Sequence, residues 1–93
     1  MKEKNIEKKF TEAVRRCGGL ALKFVSPGFN GVPDRLVLLH GGRIAFCELK
    51  APGKKPRPLQ ARRIAQLRLL GFRVYVVDSV EKIGEVLREI QSA

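Results

Sequence analysis

The sequence is poor in the residues that build zinc and redox centres, with two cysteines, Cys17 and Cys47, and a single histidine. Both cysteines lie inside apolar periodic segments, without CxxC spacing or companion histidines. That sets aside a zinc ribbon or dithiol site and predicts two buried free thiols. Aromatic residues are few, five Phe and one Tyr, and most fall at periodic core positions, so a base-stacking platform is not expected. No stretch approaches the ~20 apolar residues of a membrane span, and the opening "MKEKNIEKKF" has no apolar run of signal-peptide length. No zinc-finger or recognition-helix pattern occurs, which argues against sequence-specific base reading. A soluble, cytoplasmic protein with no membrane contact is expected.

Acidic residues are scarce too: nine Asp and Glu stand against nineteen Lys and Arg, a formal charge of +10. Solubility alone asks for a charge of about 2–8 on a small domain. The excess therefore predicts a polyanionic partner, and nucleic acid fits better than a lipid surface because the basic helical faces are interrupted and their apolar sides are needed for the core. A chain of 93 residues makes one domain, 1–93, and 44% apolar residues in short periodic runs predict a packed core.

Ile6, Phe10, Ala13, Val14 and Cys17 recur at helical spacing before Gly18-Gly19, which predicts an amphipathic first helix with a basic outer face. "LALKFV" alternates as a strand and runs into the glycine-rich loop "SPGFNGVP". "RLVLLH" and "RIAFCELK" flank Gly41-Gly42 as two nearly continuous apolar strands, the pattern of central strands covered on both faces. "APGKKPRP" is an exposed loop. A helix from Pro58 to Gly71 follows, with Leu59, Ile64, Leu67 and Leu70 near one face. "FRVYVV" is a strand, and Ser79 caps a last helix striped with Val80, Ile83, Val86, Leu87 and Ile90. The order α-β-β-β-α-β-α predicts an α/β fold, a mixed sheet flanked by helices.

The hairpin carries the chemistry. Residues two apart share a strand face, so Ile44, Phe46, Glu48 and Lys50 project together. A two-residue Gly41-Gly42 turn pairs Arg35 with Glu48, whereas a three-residue loop from His40 to Gly42, or a glycine bulge, pairs Asp34 with Glu48. Two carboxylates facing one another repel unless a cation lies between them, and oxygen donors without histidine or cysteine suit Mg²⁺ or Mn²⁺. A lysine beside such an ion can stabilise charge gathering on a phosphoryl group. A plain strand-end salt bridge among Arg35, Glu48 and Lys50 is the structural alternative.

"PD" at Pro33-Asp34 and "ELK" at Glu48 to Lys50, on adjacent strands after a helix, resemble the PD-(D/E)XK nuclease superfamily. The run from Gly31 to Asp34, the proline-rich basic loop, and "LQ" at Leu59-Gln60 opening a helix that ends in "GFRVYVV" resemble the VRR-NUC family within it. These features span nearly the whole chain in order. The resemblance implies a restriction-endonuclease-like core in which Asp34 and Glu48 bind the metal, the Leu49 carbonyl adds a ligand, Lys50 is the catalytic lysine and Gln60 supports the site. It also implies an acidic ligand from the first helix. Glu7, flanking the Ile6, Phe10 and Val14 stripe, is the choice and Glu3 its rival.

Lys54, Lys55, Arg57, Arg62 and Arg63 cluster just after Lys50, and Lys23 projects from a strand beside the expected cleft. These six are candidate phosphate contacts. Phe29, in the loop before Asp34, can wedge at a distorted base step or plug the loop against the domain. Small stand-alone VRR-NUC proteins resemble Holliday-junction resolvases. This implies a phage or bacterial endonuclease that cleaves branched DNA as a homodimer, with no small-molecule cofactor. The pattern does not fix the dimer surface; the first and last helices are its candidates. A silent nucleic-acid-binding module, or a nuclease acting on flaps, single strands or RNA, is the alternative.

Overall fold

The computed structural model describes residues 2–93, and the observed order is the expected one: α1 (Glu3–Arg16), β1 (Leu20–Lys23), β2 (Arg35–Leu39), β3 (Arg43–Leu49), α2 (Pro58–Leu69), β4 (Val74–Val77) and α3 (Val80–Gln91). The sheet is mixed, in the order β1-β2-β3-β4, antiparallel except where β4 joins β3 in parallel after the α2 crossover. Helix α2 starts with Pro58 in its first turn, where a missing N–H costs nothing, and Gly71 follows its end at φ +97°. Helix α3 is capped by Ser79, whose Oγ accepts the Lys82 amide at 3.3 Å.

Helices α1 and α3 lie together on one face of the sheet. Ile6, Phe10 and Val14 from α1 and Ile83, Val86, Leu87 and Ile90 from α3 enclose Val37, Leu39, Ala45, Cys47, Leu49 and Val77. Cys47 is fully buried there and its thiol is pushed up to about 12 by desolvation, which makes it inert; Cys17 is half-buried.

The opposite face is covered differently from the two-sided expectation. Helix α2 buries only Gln60 and Ile64, leaving Leu59 and Leu70 exposed. Register places Leu20 beside Leu38, Leu22 beside Leu36, Leu36 beside Phe46 and Leu38 beside Ile44, all on this side. Leu20 is 57% exposed, and Leu22 and Ile44 are exposed as well. Phe24 and Phe72 extend the strip on either side of Phe46, with ring centroids 5.5 and 5.9 Å away. Only Phe10 among the phenylalanines is buried. Apolar run length reported that β2 and β3 are interior strands of the sheet; it did not report how far one crossover helix reaches across them.

Candidate active site

The loop of the hairpin decides the geometry. Leu39 pairs with Arg43 and Arg35 with Cys47, so His40, Gly41 and Gly42 form a three-residue loop. Gly41 and Gly42 both take left-handed φ values, +81° and +73°, which favour glycine. Extending this register by one residue brings Asp34 opposite Glu48, with both side chains on the α2 side.

Asp34 lies just before β2, yet it continues the ladder in both directions. Its carbonyl accepts the Phe24 amide at 2.8 Å, and its carboxylate Oδ2 accepts the Leu49 amide at 3.0 Å. The side chain thus replaces the strand carbonyl that β2 no longer provides. That bond fixes the carboxylate at the end of β3, next to Glu48.

Glu48 is 1% exposed, an uncommon position for a glutamate, and its two oxygens differ. Oε2 accepts from Gln60 Nε2 at 2.8 Å and pairs with Lys50 Nζ at 3.0 Å. Oε1 is buried and, among the described residues, has no hydrogen-bond partner. Desolvation raises the carboxyl pKa above the usual glutamate range, the hydrogen bond from Lys50 pulls it down, and the negative charge of Asp34 raises it. The balance is upward.

Gln60 is placed by the start of α2. Its Oε1 accepts the Arg57 amide at 2.9 Å, half of a capping box, which leaves its nitrogen to face Glu48. Lys50 is also buried, at 8% exposure, immediately before the basic loop. The protein thus gathers Asp34, Glu48, Lys50 and Gln60 in one place, and the orphaned Glu48 oxygen beside a second carboxylate is a donor set for a hard cation. Among the described residues no three or more His, Cys, Asp or Glu side chains are grouped so as to hold a metal ion by themselves. Two carboxylates and a backbone carbonyl suit an ion that keeps several of its waters, as Mg²⁺ and Mn²⁺ do. Histidine and thiol are absent from the pair: Cys47 faces the other side of the sheet and His40 sits in the hairpin loop.

Glu7 is placed elsewhere. Its Oε2 accepts both Nε and Nη2 of Arg35, at 3.2 and 2.9 Å, while Arg35 Nη1 holds the Ala21 carbonyl at 3.0 Å. Arg35 alternates with Asp34 and so points to the α1 side, where it ties the first helix to β1. Glu3 sits in the first turn of α1 and is exposed.

Lys54, Lys55 and Arg57 are exposed between Lys50 and α2, and Arg62 is exposed on the helix. Lys23 shares the alternation of Ala21, on the side opposite Glu48. Arg63 is half-buried and committed: Nε donates to the Asn30 carbonyl at 2.8 Å, Nη1 to Gln66 Oε1 at 3.0 Å, and its guanidinium carbon lies 3.8 Å above the Phe29 ring. Sequence spacing carried no sign of this contact, because Arg63 and Asn30 lie 33 residues apart. Phe29 keeps 44% of its surface exposed under that cover. An apolar cavity of about 580 Å³ between α2 and Val76, lined by Pro56, Ala61, Ile64, Ala65, Arg68 and Leu69, contains no carboxylate.

Scanned against protein-family models, the sequence matches none. It is 56% identical over 79 residues to "Putative nuclease p44" of Acyrthosiphon pisum secondary endosymbiont phage 1, an alignment covering 85% of each chain. It also matches a solved structure described as "VRR_NUC domain", with a TM-score of 0.87 and 34% identity over 92% of this chain and 94% of that one.

Proposed function

The chain belongs to the VRR-NUC family of nucleases, and from that premise we propose that it is a Mg²⁺- or Mn²⁺-dependent endodeoxyribonuclease that acts on branched DNA as a homodimer. The observation that carries the metal reading is Glu48 Oε1, a buried carboxylate oxygen with no partner beside a second carboxylate. Asp34, Glu48 and the Leu49 carbonyl would hold the ion. When bound, it supplies Lewis-acid polarisation of the phosphate and of the attacking water.

The chain's own groups do the rest. Lys50, kept dry beside Glu48, stabilises negative charge gathering on the phosphoryl oxygens. Gln60 holds Glu48 Oε2, which leaves Oε1 free to coordinate. Lys54, Lys55, Arg57 and Arg62, exposed next to the site, hold the backbone of the polyanion. Lys23, on the opposite side of the sheet from Glu48, is not part of this surface.

The uncovered strip of Leu20, Leu22, Leu36, Leu38, Ile44 and Phe46 supports a second copy as the partner. By strand alternation its ladder positions contain no lysine or arginine, so it is a poor surface for a polyanion and the place where two strongly basic chains repel least. Apolar sheet faces pack about 10 Å apart, and a two-fold axis makes one strip complementary to itself. A standard interface takes about 800 Å² from each partner, and the strip supplies its apolar centre. A two-fold dimer has the two sites that paired incision of a junction requires.

The test is incubation with end-labelled four-way junction, flap, single-stranded DNA, linear duplex and RNA, in Mg²⁺, Mn²⁺ or chelator. Paired metal-dependent nicks in the junction are expected. Cleavage of flaps, single strands or RNA alone would keep the chemistry and overturn the four-way-junction assignment, and binding without cleavage under every metal would identify a silent module.

A further inference from the structure

The loop from Ser26 to Pro33 is long and glycine-rich, yet it delivers Asp34 to a position fixed within hydrogen-bonding distance of Leu49. A loop of this composition loses much conformational freedom on ordering, so something must hold it. Three consecutive loop residues rest on two side chains of α2. Phe29 lies under the Arg63 guanidinium and Asn30 gives its carbonyl to Arg63 Nε. Gly31, at φ +87°, comes so close that a Cβ there would lie 2.8 Å from Leu59 Cγ and 3.3 Å from Arg63 Cγ. Val32 and the buried Pro33 then lead directly into Asp34. Leu59 and Arg63 bracket Gln60 on the same helix.

We infer that Arg63 is a positioning residue that clamps the Asp34 loop onto the helix carrying Gln60, so that one guanidinium holds both sides of the carboxylate pair in register. Two of its nitrogens and its planar face are used within the protein. Nε and Nη1 are hydrogen-bonded and the planar face is stacked, whereas Arg62 next to it is exposed and makes no side-chain hydrogen bond among the described residues. Arginine suits this task because a flat fork can donate in two directions while stacking, which a lysine ammonium cannot do. The inference deepens the metal-site reading and rests on it only for its effect on the ion.

The experiment reads the Asp34 to Leu49 bond directly. Amide hydrogen exchange at Leu49 is measured by NMR in metal-free protein for wild type, Arg63→Ala, Arg63→Lys, Phe29→Ala and Arg62→Ala. The clamp predicts exchange at Leu49 at least about tenfold faster in both Arg63 variants, a smaller increase in Phe29→Ala, and no change in Arg62→Ala, while the core amide of Val37 keeps its rate. Mn²⁺ affinity, followed by electron paramagnetic resonance, is expected to fall about tenfold in Arg63→Lys.

A phosphate-contacting Arg63 gives the opposite pattern. Arg63→Lys, which keeps the charge, would leave Leu49 protected, and Arg63→Ala would lower the salt slope of DNA binding in chelator by about one. That result overturns the clamp. If Arg63→Ala fails to fold, the lysine and Phe29 variants decide the matter. If wild type binds no Mn²⁺, the metal reading fails while Leu49 exchange still tests the clamp.

Discussion

Gln60 donates its nitrogen to Glu48 because its oxygen is already committed to the Arg57 amide. The helix start therefore sets the polarity of the amide, and the amide sets which Glu48 oxygen is left without a partner. Gln60→Ala should cost about 1–3 kcal/mol in urea denaturation, since it removes a cap and a donor to a buried carboxylate. It should lower cleavage about 10–100-fold. Gln60→Glu should be worse than Gln60→Ala at neutral pH and recover on acidification, because it sets another carboxylate against Glu48, beside Asp34.

Lys50 and Glu48 should behave as a unit. Their side chains are only 10% and 1% exposed, so Lys50→Ala leaves a buried carboxylate without its cation, at a cost of about 3–5 kcal/mol. Adding Glu48→Gln should recover most of that loss, because the neutral amide no longer needs the cation. Denaturation of the single and double variants gives the coupling directly. Both single variants should have lost cleavage.

The pH dependence follows from the upward shift of Glu48. A carboxyl with a raised folded-state pKa binds more protons in the native than in the unfolded chain between the ordinary value of 4.5 and the raised one. Stability of the metal-free protein should therefore rise as pH falls through the raised value, level off below about 4.5, and be lower and flat above the window. Glu48→Gln should abolish this contribution. Asp34→Asn should narrow the window by removing the neighbouring charge, while its side-chain oxygen still accepts the Leu49 amide. Metal affinity should move the other way and weaken in acid, as protons compete for the carboxylates.

The exposed strip predicts where the proposed dimer would break. Leu22→Glu places a charge on the apolar face, and Leu38→Glu places one beside Leu20 and Ile44. Sedimentation of either variant should report monomer with native circular dichroism. Glu12→Lys, on α1 away from the strip, should leave the oligomeric state unchanged. Dimers persisting in both leucine variants would move the interface to the helices.

The order of elements was legible because the helices have periodic apolar patterns and boundary signals: Gly18 after α1, Gly71 after α2, Ser79 at the start of α3. The nuclease signature was legible because Pro33-Asp34, Glu48, Lys50 and Gln60 keep their order and spacing. The register was not, since two and three-residue turns around Gly41 and Gly42 both satisfy the pattern, and the one-residue difference decides whether Asp34 or Arg35 faces Glu48. The Arg63 contacts with Phe29 and Asn30 depend on a loop folding back over a distant helix, which no local periodicity encodes. The Glu7 pair with Arg35 escaped for the same reason: helix phase tells which side of α1 a residue occupies, not which cation waits there.

In the proposed reaction Asp34 and Glu48 hold the ion that makes phosphodiester cleavage possible. The most direct measurement is Mn²⁺ titration of wild type and Glu48→Gln, with binding and DNA cleavage followed on the same samples. Cleavage that rises with Mn²⁺ occupancy in wild type, with both lost in Glu48→Gln while the melting profile remains cooperative, is the expected result. Unchanged binding and unchanged cleavage in Glu48→Gln would contradict the account.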